Sequence, residues 1–172
     1  MKTRVVTFSL ALLFGVVSGA NAQLRAGSPE EAAYAKIDAE QNHDAKLALL
    51  LNFDKEFPEA NPRVLATVYL MAMDIYIEKE DKDKTAEYGD KAIAKDPENV
   101  SALLRVSLNY ARQKTNLPKA VEYAEKAKEI IANMRKQPTP LGQTEQQWKQ
   151  WLDANAQSAD QYATYAKTLQ GT

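Results

Sequence analysis

Few residues in this chain have both the type and the spacing that chemistry demands. There is one histidine, His43, and no cysteine, so zinc sites assembled from those two residue types are ruled out. His43 lies in the polar run Gln41-Asn42-His43-Asp44. A base or ligand needs orienting partners that this run does not supply, and His43 reads as a solvated surface side chain. No Gly-x-Ser-x-Gly elbow, phosphate-cradling glycine loop or dinucleotide fingerprint occurs. Asp81-Lys82-Asp83 has the opening spacing of a calcium loop. No glycine follows at the sharp turn, however, and Thr85 and Glu87 do not continue the ligand pattern. Glu78 and Glu80 suit the solvation of a helix end better than acid–base work. Glu87 with Lys91 and Glu122 with Lys126 are i, i+4 pairs, worth roughly a few tenths of a kcal/mol each. Trp148 and Trp151 remain. Spaced i, i+3, they face one way on a helix, either packed in a core or forming a shelf on which a ligand could stack. No metal or cofactor is implied, and the chain is not expected to be an enzyme.

The charge pattern removes further classes. Met1 to Ala22 is built as a secretory leader: Lys2 and Arg4 start it, Val5 to Val17 is apolar, and Ala20-Asn21-Ala22 predicts cleavage before Gln23. The apolar run falls short of the about 20 residues a bilayer-spanning helix needs. Removing Lys2 and Arg4 takes the basic count from 22 to 20 against 23 acidic residues, a mature net charge of −3. That balance offers neither the basic stripe of a nucleic-acid binder nor a polybasic hold on anionic lipid. Without cysteine no disulfide can brace the exported chain, and the cysteine-borne anchor of a bacterial lipoprotein is excluded. The mature chain, 23–172, is expected to fold as one soluble domain stabilised by its core. Its expected destination is a bacterial periplasm, with the extracellular space as the other possibility.

The elements that position any binding residues announce themselves by repetition. Tyr69, Ala72, Met73 and Tyr76 recur 34 residues later as Leu103, Val106, Ser107 and Tyr110. Glu87-Tyr88-Gly89-Asp90-Lys91-Ala92 returns 35 residues later as Glu122-Tyr123-Ala124-Glu125-Lys126-Ala127. The spacing i, i+3, i+4, i+7 puts each first set on one side of a helix. Two helical faces repeating together at this distance predict stacked helical hairpins. Between the helices of the first unit, Glu78 to Asp83 is wholly charged and must lie in water. Asp83 is the expected N-cap of the second helix, which should stop before Asp96-Pro97 because a residue preceding proline avoids the helical region. Pro97 would then open the next helix at its first position.

This pattern resembles the tetratricopeptide repeat, whose period is about 34 residues. The matching residues are Tyr69, Tyr76, Ala92, Asp96 and Pro97 in one copy, and Ser107, Tyr110, Ala120 and Ala127 in the next. Ala72 and Met73 stand where the family usually has Leu-Gly, and Thr85 stands where it usually has Ala. The second copy has one extra residue near Thr115 to Leu117 and lacks the closing Asp-Pro. The resemblance implies an all-α fold of hairpins stacked as a short right-handed solenoid, with first helices lining a concave groove. The groove-facing positions it implies are Thr67, Leu70, Asp74, Ile77 and Glu78, then Ser101, Leu104, Leu108, Ala111 and Arg112. A protein or peptide partner would lie along them; alternatively Leu70, Leu104 and Leu108 pack against the terminal helix. The Lys- and Asn-rich carboxylate clamp of chaperone-binding members does not match these positions.

On this reading residues 66–99 and 100–134 are the clear repeats. Residues 28–60 form a degenerate first repeat, opened by Ser28-Pro29-Glu30-Glu31 with Ser28 as N-cap and Glu31 closing a capping box. Ala32, Ala33, Tyr34, Ile37 and Ala39 give its first helix an apolar face. Its second helix should run from Lys46 to Phe57, with Leu47, Leu50, Leu51 and Phe53 buried. Phe57-Pro58 and the loop Glu59-Ala60-Asn61-Pro62 resemble repeat proteins of the bacterial cell envelope. After the helix-breaking run Gln137 to Gly142, Thr144 and Gln147 form a capping box for a terminal helix over 144–169. Gln146, Lys149, Gln150, Asp153, Gln157 and Asp160 would be its wet outer face, as a capping element requires. Two functions follow. The preferred one is a scaffold that binds a partner on the repeats; the other is a small-ligand carrier with a pocket between the last repeat and the terminal helix, near Trp148 and Trp151.

Overall fold

A computed structural model describes residues 24–171; the leader and its cleavage point before Gln23 lie outside them. The described residues form seven helices and no strand: α1 (Pro29–Ala39), α2 (His43–Glu56), α3 (Pro62–Glu78), α4 (Lys82–Lys95), α5 (Val100–Gln113), α6 (Leu117–Met134) and α7 (Glu145–Gln170).

Local chemistry sets most of the boundaries. At α1, Ser28 Oγ accepts from the Glu31 backbone N–H at 3.2 Å behind Pro29. The Glu31 carboxylate reaches one residue further back than a capping box requires, to the Gly27 N–H. At α7 the box is complete: Gln147 N–H donates to Thr144 Oγ1 at 3.2 Å, and Thr144 N–H to Gln147 Oε1 at 3.1 Å. Asp83 is not the cap of α4. Asp81 is, accepting from Lys84 N–H at 3.0 Å; Asp83 falls in the first turn, where a negative charge suits the helix dipole. Nor does Pro97 open α5. Asn99 caps it, accepting from Ala102 N–H at 3.0 Å, while its own Nδ2 donates to Asp96. A side-chain oxygen satisfies an orphan N–H directly, so Asn99 determines the start and Asp96-Pro97-Glu98 becomes the turn. Asn42 likewise caps α2, which begins at His43, three residues before the predicted Lys46. The extra residue ahead of α6 is absorbed by two left-handed residues, Lys114 at φ 52° and Asn116 at φ 48°.

Each helix packs on its successor, and α7 packs on both α5 and α6. One apolar cluster runs through the array from Tyr34 and Ile37 to Ala159 and Ala166. The repeated faces supply its centre: Tyr69, Ala72, Met73, Leu103, Val106 and Tyr110 are all buried. In α1 only Tyr34 and Ile37 are buried, and Ala32 and Ala39 are exposed, so this helix rests on a narrow footing.

Two polar staples fasten successive hairpins. Asp90 of α4 accepts from the hydroxyl of Tyr123 at 2.8 Å and from the ammonium of Lys119, both on α6. The Tyr110 hydroxyl of α5 lies 2.8 Å from both Asp90 Oδ1 and the Ala86 carbonyl oxygen, sharing its proton between them. Burial alone would raise the Asp90 carboxyl. The hydrogen bonds from Lys119, Tyr110 and Tyr123 outweigh that and hold it below the usual carboxylate range. Burial first, and the Asp90 carboxylate second, push the Tyr110 and Tyr123 hydroxyls above their ordinary value. One seam earlier, Asp54 of α2 accepts from the Tyr69 hydroxyl of α3; within α4 the Lys91 ammonium lies 4.5 Å from the centre of the Tyr88 ring. Gly89 lets α4 approach closely: a Cβ there would stand 3.0 Å from Val106 Cγ1 and 3.2 Å from Met73 Sδ.

Candidate binding face

Among the uncovered side chains of α3 and α5, two rows share one spacing: Thr67, Met71, Asp74 and Glu78 on α3, and Ser101, Arg105, Leu108 and Arg112 on α5, with Tyr76, Ile77, Asn109 and Gln113 half-buried beside them. Each set runs i, i+4, i+7, i+11, which keeps it on one stripe of a helix, and the second follows the first by 34 residues at every position. The first three of each set are half-buried, and Glu78 and Arg112 are exposed. The guanidinium of Arg105 bonds the Asp74 carboxylate across the two helices. His43 at the start of α2 pairs with Glu78, so its surface position carries a contact that its polar surroundings did not suggest.

Six of the ten positions implied by the family resemblance are on this face: Thr67, Asp74, Glu78, Ser101, Leu108 and Arg112. Leu104 and Ala111 are fully buried, and Leu70 is 9 % exposed. Leu104 and Ala111 lie on the other edge of the stripe from Ala102, on a helix that packs against α4, α6 and α7. Ile77 is half-buried on the edge of α3 that carries Leu70. Met71 and Arg105 were not anticipated. Their signal was available, since both complete the i, i+4, i+7, i+11 stripe and stand 34 residues apart.

A third stripe lies on α7. Its edge against α6 is marked by three ion pairs: Arg135 with Asp153 at 2.7 Å, Lys128 with Asp160, and Lys167 with Glu125 at 2.8 Å. Asp153 and Asp160, expected on the free outer face, are exposed but engaged in this seam. At about 100° per residue, Ser158, Tyr162, Tyr165 and Leu169 lie roughly opposite that edge. Leu152, Asn155, Ala159, Ala163 and Ala166 are buried between the two. That row, opposite the α6 edge, is the third stripe. All four of its residues are half-buried, again at i, i+4, i+7, i+11.

Trp148 and Trp151 stack on each other with centroids 5.2 Å apart and planes 7° from parallel. Both are half-buried against the core. Asn155 Nδ2 donates to the Trp151 carbonyl at 2.8 Å, but Asn155 Oδ1 and Trp148 Nε1 are buried without a partner. Two surface clefts, of about 510 and 540 Å³, flank the entry and outer side of α1; neither is lined by Trp148 or Trp151. Among the described residues no group of three or more His, Asp or Glu side chains could hold a metal, and no helix is long and apolar enough to cross a membrane. In comparison with known proteins, the chain matches no protein-family model and no curated protein.

Proposed function

We propose that the protein is a non-enzymatic, exported interaction module of the tetratricopeptide kind, binding a peptide segment or partner domain on the open face of α3 and α5. In this reading α3–α4 and α5–α6 are successive repeats of a short right-handed solenoid, α1–α2 is a degenerate first repeat and α7 closes the array. The leader at Met1 to Ala22 directs export, with the bacterial periplasm as destination. One observation carries the reading: four uncovered positions of α3 recur uncovered on α5 at the same 34-residue spacing as the buried ones, a regular row of side chains that the core does not consume. Packing explains why Leu103 and Tyr110 recur in place; it does not require a stripe of half-covered Met71, Asp74, Arg105 and Leu108 beside them.

The test is affinity capture from cell-envelope extract with the wild-type protein and a Met71→Glu/Leu108→Glu variant. Both substitutions fall on the open face, so circular dichroism should show the variant still folded. A protein retained by the wild type and lost by the variant supports the face; equal retention by both places binding elsewhere. Mass spectrometry of the exported chain should find Gln23 at its N-terminus.

A second reading, a small-ligand carrier, is favoured by the orphaned Trp148 Nε1 and Asn155 Oδ1 beside the stacked indoles, since buried polar groups are usually partnered. Ligand-induced thermal stabilisation that vanishes in Trp148→Phe would support it.

A further inference from the structure

We propose that removal of the leader completes the fold: the α-ammonium created at Gln23 seats in the cleft at the entry of α1, against Glu30 and Glu59, and ties the start of α1 to the turn between α2 and α3. This rests on the leader assigned under the proposed function and adds what its removal does to the folded chain. The cleft, of about 510 Å³, has Leu24 to Glu30 on one wall and Glu59, Ala60 and Asn61 on the other. Leu24 is half-buried and packs against the core, so the chain enters the fold at this cleft. Gln23 is bonded directly to Leu24, and neighbouring Cα atoms are about 3.8 Å apart. Covalent connection therefore delivers the new amino terminus to the cleft.

The charges at the cleft are one cation short. Its lining holds two carboxylates, Glu30 and Glu59, against one guanidinium, Arg25. Glu30 is half-buried, and among the described residues neither carboxylate has a hydrogen-bond or ion-pair partner. Neither is needed at the helix start, where Ser28 accepts from the Glu31 N–H and the Glu31 carboxylate from the Gly27 N–H. An ammonium brings the lining to neutrality and donates charge-assisted hydrogen bonds to the acids. The peptide nitrogen of the uncleaved chain carries no charge and cannot. The tie falls where the fold is least secured, since in α1 only Tyr34 and Ile37 are buried.

Mass spectrometry of the exported chain and thermal unfolding of purified forms test this. The exported chain should begin at Gln23 with an open amine. The form beginning at Gln23 should unfold about 2 °C above the same form bearing an N-terminal acetyl group, the size expected of one partly exposed ion pair. Glu30→Gln/Glu59→Gln, which keeps the shape of both side chains, should abolish that difference. Equal midpoints overturn the clamp, as does a difference that survives in the double variant. Gln23 found as its lactam, the amine bonded to its own side-chain carbonyl carbon with loss of ammonia, also overturns it and leaves the leader reading standing. A chain that begins elsewhere overturns both.

Discussion

The seam between α4 and the α5–α6 hairpin and the seam between α2 and the α3–α4 hairpin use the same chemistry to different depths. In both, an acid on the preceding helix accepts from a tyrosine on the hairpin that follows. At Asp90 the acid receives two hydroxyls and an ammonium, reaching both α5 and α6. At Asp54 it receives one hydroxyl, and further contacts such as Asp44 with Lys79 and His43 with Glu78 are made between largely exposed side chains. Exposed pairs contribute little, so the first hairpin is held mainly by Tyr34, Ile37, Leu50 and Phe53 in the core. The lesson is that a repeat array need not be equally firm along its length. It is stapled where α4 meets the α5–α6 hairpin and more loosely joined where α2 meets α3, so local opening should start at the α1–α2 end.

The largest expected effect separates the covered edge of α5 from its open stripe. Leu104→Ala should cost about 3 kcal/mol, since it empties a fully buried site, while Leu108→Ala should cost less than about 1 kcal/mol. Urea denaturation measures both, and equal losses would show the open face to be wrongly placed. Next, Asp90→Ala should lose about 2 kcal/mol and Asp54→Ala about 1 kcal/mol, in proportion to the hydrogen bonds removed. Reversal of that order would break the contrast between the seams. Hydrogen exchange would sharpen it, with amides of α1 and α2 exchanging before those of α5. Gly89→Ala should lower stability by about 1 kcal/mol although alanine is the better helix former, because its Cβ meets the stiff Val106 side chain. A gain in stability would mean that α4 and α5 separate easily.

The smallest effect is in pH dependence. A carboxyl held below its unfolded value stabilises the fold above that value, about 3.9 for aspartate, and the contribution is lost as pH falls through the lowered folded pKa. Acid unfolding of the wild type should therefore include a component below about pH 4 that Asp90→Asn lacks. On the alkaline side Tyr69, Tyr110 and Tyr123 are all raised. Unfolded tyrosines ionise near pH 10 while these stay protonated, so stability should fall as pH rises above about 10. Tyr110→Phe should blunt that fall; urea midpoints across the pH range would show either outcome.

Residue order alone determined the helical class, the two repeated buried faces and the complete capping box at Thr144 and Gln147. These depend on spacing along one helix and on side chains reaching their own backbone, which short-range physics decides. Choosing between Asp81 and Asp83, or between Pro97 and Asn99, required knowing which backbone N–H groups the flanking chain leaves free. The open face was legible only in part. The repeat marks Met71 with Arg105 as plainly as Leu70 with Leu104, and nothing within a single helix says which pair is covered. That choice was made by the helices that pack on α5 and bury Leu104 completely, and by Arg105 reaching across to Asp74. The side of a helix that stays open is set by the neighbours that bury the rest, and no spacing within one helix records them.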